Sequence, residues 1–464
     1  MKKKLAMLVA APLALVSVLS ACSSDGGKSA SSASPSPAVS SSPSLQASAA
    51  ASAAPAAKPG EKKKLTVWAG TSFSPEADAI LHTRMREWAK YNNVDLNLQI
   101  MAGAQFNAKY AAALEAKTMP DVGYIDYTNI GNFIDKSQLL DISDTIAKAE
   151  QANGPFFKAG IDYVKKDNKI YGFPYANSSY VLFYRKDLFA KAGIAGPPKT
   201  WEEYRADAKK LNDPAKGIYG SGIVLGKTND GEQEARNMFW SFDSLFTTPD
   251  GKTPTIDNPN TLKAVQMVTD MYLVDKSIPP ASTSWDDSGN NKAYLSGQVA
   301  MITNPPTVWT SLSTADPVVK DNTGVAAMPA GPSGTVKSMG GTYYYGAFSS
   351  TKEPDLAKKF LYDMFADKEF YKVFHEKVAP VYAPVFQSDA QSDIWKIEVN
   401  KAALDTINSY AYQGYPGPST AAASNVFAKF LITEMWGKIL IDKMDPAQAV
   451  KQLQAAYEQV YAQK

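Results

Sequence analysis

The 464-residue chain carries 48 Lys and Arg against 46 Asp and Glu, a net charge of +2, and is 45% hydrophobic and 11% aromatic. That is enough apolar material for two cores rather than one, and the scattered basic residues leave no footprint for a nucleic-acid partner. The single cysteine, Cys22, excludes an internal disulfide and a thiolate metal cluster, so the fold must hold by packing.

Lys2-Lys3-Lys4 precede an apolar run from Leu5 to Leu19, too short to span a bilayer comfortably, and Leu19-Ser20-Ala21-Cys22 follows at once. These residues resemble the lipobox of bacterial lipoproteins. The resemblance implies that 1–21 are a signal peptide and that cleavage falls before Cys22, whose acyl chains then hold the protein on the outer face of the cytoplasmic membrane. From Ser23 to Gly60 the composition collapses to Ser, Ala and Pro, which cannot bury enough surface to fold. Residues 22–61 therefore read as a lipid-attached tether with a span on the order of 35 Å.

The body starts at Lys62. Leu65-Thr66-Val67-Trp68 reads as a buried strand, and Ser74-Pro75 then caps a helix whose apolar face is Ile80, Leu81, Met85, Trp88 and Ala89. Val94, Leu96, Leu98 and Ile100 alternate with polar residues as a second strand; a helix through Phe106, Tyr110, Ala113 and Leu114 leads to a third at 120–126. Strand, helix, strand, helix, strand implies a parallel sheet, whose ligands sit beyond the carboxyl ends of the strands. By that rule the loops at 69–73 and 126–129 face a crevice.

The stretch Lys169–Asp187 is a crossing point: a Gly-Phe-Pro turn, a buried strand at 180–184, and a short helix closed by Gly193. Thr200-Trp201-Glu202-Glu203 is a capping box that opens a helix to Leu211. The aromatic run Phe239-Trp240-Ser241-Phe242, a helix over 260–274, and Leu295-Ser296-Gly297-Gln298-Val299-Ala300-Met301 follow. Beyond Gly340-Gly341-Thr342-Tyr343-Tyr344-Tyr345, residues 355–374 read as one amphipathic helix, and Asp445-Pro446 opens the last helix.

In order and spacing, Leu65–Trp68, Met119-Pro120-Asp121-Val122, Leu139–Ile142, Lys169–Tyr175, Tyr184–Phe189, Pro198–Glu203, Leu295–Met301 and Gly340-Gly341 resemble the solute-binding proteins of ABC importers, in the sugar-binding branch that includes maltose-binding protein. The resemblance implies an α/β, two-lobed periplasmic-binding-protein fold with a hinge and an interlobe cleft. Lobe one would be 62–176 plus 331–385, and lobe two 177–330 plus 386–464. It further implies a monomer, not an enzyme and without a cofactor, that captures a carbohydrate and hands it to the permease subunits of an importer.

A sugar cleft needs aromatic rings for stacking and polar groups for paired hydrogen bonds. Candidate ligand contacts are Thr71, Ser72 and Phe73 at the rim, Asp126 at the end of the third strand, and Tyr175 and Asn177 at the crossing. To these are added Trp240, Trp285 and Trp309, and Gly341, Tyr343 and Tyr344, where the double glycine would let backbone approach a ligand. Trp68, Trp88 and Trp201 read as core, and His82 and His375 as solvated or satisfied helix residues. Other classes remain open: a ferric site on Tyr343-Tyr344-Tyr345, a glycosidase carboxylate pair, or an adhesion lipoprotein.

Overall fold

The computed structural model describes residues 62–72 and 74–463. The signal segment, Cys22, the tether and Phe73 lie outside the described residues. Strand β1 (Lys63–Gly70) leads through helix α1 (Pro75–Tyr91) to β2 (Val94–Met101), then through α2 (Phe106–Ala116) to β3 (Val122–Ile125). β1 is parallel to both its neighbours. The cap of α1 is as expected: the Ser74 side chain accepts a bond from the amide of Ala77, and Pro75 opens the helix.

The chain leaves this sheet along β4 (Phe173–Ser178) and after only two residues enters β5 (Val181–Arg185), the centre of a second, three-stranded sheet. Its partners are β6 (Met301–Asn304) and β7 (Thr323–Ala326), both antiparallel to β5. Between β5 and β6 the chain forms α3 (Trp201–Leu211), α4 (Asn229–Ser241) and α5 (Pro259–Leu273). The chain then returns as β8 (Gly341–Ala347), which slots between β3 and β4 in the first sheet, antiparallel to each. Three segments therefore run side by side where the sheets meet: 178–180, 338–340 and 410–411. The Tyr180 amide donates to Ser338 Oγ at 3.2 Å, and Ser338 and Met339 pair with Tyr410 and Ala411.

One local expectation changes and another narrows. The helix read as 355–374 is broken into α6 (Pro354–Phe365) and α7 (Lys368–Val378). The Asp367 carboxylate accepts the amides of Glu369 and Phe370, an N-cap that competes with helix continuation, and Asn153 Nδ2 takes the freed carbonyl of Ala366. Of the two alternatives read for the histidines, solvated or satisfied, solvation falls away: both are buried, and His82 is the satisfied one, its Nε2 3.1 Å from the Gly70 carbonyl. His375 stacks on Tyr371 and meets Trp395 edge-on, and burial pulls it down to about 3. The C-terminal part supplies α8 (Ala421–Ala428), α9 (Leu431–Leu440) and α10 (Pro446–Tyr461); α9 packs on α4 and α5, α10 on α5, and α8 on α10 and on the short helix Ile130–Asp135.

Gly341 is required by packing. A Cβ there would stand 2.2 Å from the ring of Tyr127, so the double glycine admits a neighbouring tyrosine rather than a ligand. Gly341→Ala should lose about 2 kcal/mol of stability, the usual scale of overpacking, as measured by urea unfolding. Loss of ligand affinity at unchanged stability would contradict this.

Candidate functional site

The carboxyl ends of β1 and β3 open onto a cavity of about 670 Å³, within the range of roughly 300–1,000 Å³ common to small-molecule sites. From the first sheet it is lined by Thr71, Ser72, Tyr124, Asp126–Asn129, Tyr343 and Tyr382, and from the second side by Asn229, Gln233, Ser424, Phe427 and Phe430. Both loops placed at the crevice by the strand-end rule line it. A groove of similar size, about 600 Å³, lies between α3 and α5. Four of its charged residues are already engaged, Arg205 with Asp270 and Asp275, and Lys209 with Asp275.

Asp126 closes β3 and turns its carboxylate onto its own loop. Oδ1 accepts the Thr128 amide at 2.7 Å, the Thr128 hydroxyl and Asn129 Nδ2. Burial raises this carboxyl above its ordinary range, against those bonds, which pull it down. Ser72 is set by its amide bond to Asp78 at 2.7 Å. Tyr343 stacks on Tyr124 with ring centres 5.6 Å apart, and lies 5.3 Å from the ring of Tyr382. These three rings form an aromatic floor on the first-sheet side.

The opposite wall is the first turn of α4 and the end of α8. Thr228 caps α4, presenting Asn229 and Gln233 to the cavity. Tyr127 Oη donates to Gln233 Oε1 at 2.9 Å, joining the two sides across the floor. Phe427 is backed by Arg236, whose guanidinium sits 5.0 Å from the ring centre. Arg236 and Glu232 are an ion pair with both side chains fully buried, and Glu232 also accepts the amide and hydroxyl of Thr433. Two residues on, Glu234 accepts the Val224 amide and the Thr303 hydroxyl, tying α4 to β6. Burial pushes Glu234 up to about 8, and burial with the neighbouring Asp287 pushes Asp230 up to about 7.

Of the residues expected to touch ligand, Thr71, Ser72, Asp126 and Tyr343 come together at this cavity. Phe73 lies outside the described residues, and the remaining described candidates are elsewhere. Tyr175 is 3% exposed, enclosed by Tyr345, Phe365, Phe374 and Tyr382. Asn177 is spent on structure: Nδ2 donates to the Pro384 carbonyl, and Oδ1 accepts Thr342 Oγ1. Both belong to β4, a strand buried along its whole length. Tyr344 points away from Tyr343, as successive strand residues must, and its hydroxyl donates to the Gly160 carbonyl. Trp240 is completely buried against Phe246 and Tyr415, because it lies on the inner face of α4 rather than in a loop. Trp285 is half-buried over Gly289, and Trp309 lies largely exposed on a short helix; neither lines the cavity.

The wall residues Tyr127, Asn229, Gln233, Tyr382, Phe427 and Phe430 were not singled out from sequence. Asn229 and Gln233 follow a Thr-x-x-Gly cap that marks a helix start. Phe430 sits in the left-handed region at φ 55°, a placement that sequence pattern does not announce.

Two α/β lobes, three chain segments where they meet and a polar, aromatic cleft between them define a two-lobed solute-binding protein. The chain belongs to the bacterial extracellular solute-binding protein family, whose model matches residues 70–369. A Brucella abortus protein named as a binding protein is 26% identical over 319 residues, 69% of this chain and 75% of that one. The arabinooligosaccharide-binding protein of Bacillus subtilis is 25% identical over 316 residues, 66% and 70% of the two chains. Among solved structures, a solute-binding protein of Thermotoga lettingae bound to α-D-tagatose superimposes with a TM-score of 0.73 at 21% identity, covering 86% of this chain and all of that one. That last likeness speaks to fold.

The buried acid Glu234 gives the fold a signature in pH. A carboxyl raised from 4.5 to about 8 holds more proton in the folded than in the unfolded state, so its stabilisation is complete below the unfolded value and is lost as pH rises through 8. Unfolding free energy should therefore fall between pH 4.5 and 8, and Glu234→Gln should flatten that fall, Asp230 leaving a residual slope that ends near pH 7. An unchanged slope in urea unfolding would place the proton elsewhere.

Proposed function

We propose that this chain captures an extracellular oligosaccharide in the interlobe cleft and delivers it to the permease subunits of an ABC importer. The observation that carries this reading is the composition of the cavity wall. Aromatic rings on both lobes, Tyr124, Tyr343 and Tyr382 facing Phe427 and Phe430, alternate with short neutral hydrogen-bonding groups, Thr71, Ser72, Asn129, Asn229 and Gln233. Flat apolar faces edged by hydroxyls are the chemistry such a wall matches. The names of relatives support it: one binds arabinooligosaccharides, and a structural neighbour holds tagatose.

In this reading ligand touching both lobes favours the closed arrangement, a population shift that the importer recognises. The Leu19-Ser20-Ala21-Cys22 sequence supports attachment by acyl chains at Cys22, with 22–61 as the tether of a monomer held at the membrane. Lobe one is 62–176 plus 331–385, and lobe two the remainder of the body. A ferric site gains no support, because Tyr343 and Tyr344 leave opposite faces of β8, and Tyr345, on the face of Tyr343, is fully buried and does not line the cavity.

A broad glycan screen read by tryptophan emission and melting temperature should find one saccharide class that binds at micromolar levels. Phe430→Ala and Tyr343→Ala should then each weaken binding by roughly tenfold, the worth of one stacking ring, whereas Trp309→Ala should leave it unchanged. A screen in which no glycan moves either readout defeats the sugar reading.

A further inference from the structure

The cleft has a one-sided charge. Among its described lining residues there is a carboxylate, Asp126, and no Lys, Arg or His. Further acids stand immediately behind the lining. Asp78 holds the Ser72 amide. On the other wall Asp230 lies between the lining residues Asn229 and Gln233, and its charge reaches the hydroxyls of Tyr127 and Tyr343, both in the cleft. Asp287 is beside it, accepting the Asp230 amide at 3.0 Å. Glu234 follows one turn later.

The cations nearby are committed or turned out. Arg236 lies behind Phe427 and is paired with Glu232; Lys227 pairs with Glu434; Lys109 bonds Gln99 and covers the ring of Trp68. Lys429, between Ala428 and Phe430, is exposed and does not line the cavity.

We propose that Asp126 on one wall and Asp230 with Asp287 on the other form a charge filter, which admits uncharged and amine-bearing glycans and turns away those carrying carboxylate or phosphate. This rests on the sugar reading above and names the class within it. An anion entering the cleft meets the single carboxylate of Asp126 on one wall and the Asp230–Asp287 pair, in which Asp230 keeps its proton up to about pH 7, behind the other, with no lining cation to offset them. In a partly desolvated site, where effective dielectric is far below that of water, like charges at such range repel strongly. An ammonium group meets the reverse field.

The test is titration of the purified body with three families of probe: neutral malto-, xylo- and galacto-oligosaccharides, amine-bearing chitosan oligosaccharides, and oligogalacturonates with hexose 6-phosphates. Every wild-type hit should be neutral or amine-bearing, with anionic probes of the same length at least about thirtyfold weaker. In Asp230→Asn and in Asp126→Asn, folded as judged by circular dichroism, the ratio of anionic to neutral affinity should rise several-fold. Asp287→Asn provides a second variant on the α4 side should Asp230→Asn fail to fold. An anionic glycan as the best wild-type ligand overturns the filter while leaving the sugar reading intact. A ratio unmoved in all the variants overturns the assignment to these residues. If no glycan of any charge binds, the sugar reading falls and the filter with it.

Discussion

The interaction on which the rest depends is the insertion of Gly341–Ala347 between Val122–Ile125 and Phe173–Ser178. Without that strand the first sheet is split, and β4 loses its only partner in it. With it, a strand more than 160 residues further along the chain joins the two, its ladder with β4 interrupted by one register shift between Tyr343 and Tyr344. The insertion also fixes side-chain direction. Tyr343 and Tyr345 face Tyr124, while Tyr344 faces Tyr163 on the opposite side. One strand thus supplies a cleft ring from one residue and core rings from the next two. The close passage of Tyr127 over Gly341 is part of the same arrangement.

The second wall rests on a different principle. Its helix, α4, is anchored by two buried acids: Glu232, ion-paired with Arg236 and bonded to Thr433, and Glu234, bonded to Val224 and Thr303. Buried ion pairs add little net stability relative to apolar packing but are costly to break. Here they hold the first turn of α4 in place, so that Asn229 and Gln233 have a defined direction. They also put Arg236 under Phe427, so the ring that faces the cavity is supported from behind. Rigid support of neutral contact groups is what lets a site bind without reorganising first.

Much of the first lobe was legible in the sequence because its signals are local. The alternation in Val94–Ile100, the Ser74-Pro75 cap and the strand-helix order predict a parallel sheet, and strand ends predict where the crevice opens. The tryptophans were harder. Trp240 sits in an aromatic run that reads as a helix end or loop, yet its burial is decided by Tyr415 and Phe246, which the chain brings in from elsewhere. Tyr175 and Asn177 lie at the crossing, but the segment 382–384 covers them from a distance of about 200 residues. The period-two rule alone shows that Tyr343 and Tyr344 cannot share one cleft. Phe427 and Phe430 fall in a region whose sequence carries no strong periodic signal, and their place follows from how α8 and α9 dock.

The three segments that meet between the sheets have a mechanical consequence. One connection between two bodies leaves them free to twist, slide and bend. Three adjacent strands, stitched by the Tyr180–Ser338 bond and the pairing of 338–339 with 410–411, resist torsion and shear and leave bending about a line across them as the soft coordinate. The distance between Phe430 and Tyr343 then behaves as a single variable, and a solute spanning it needs to supply only enough free energy to shift that one variable.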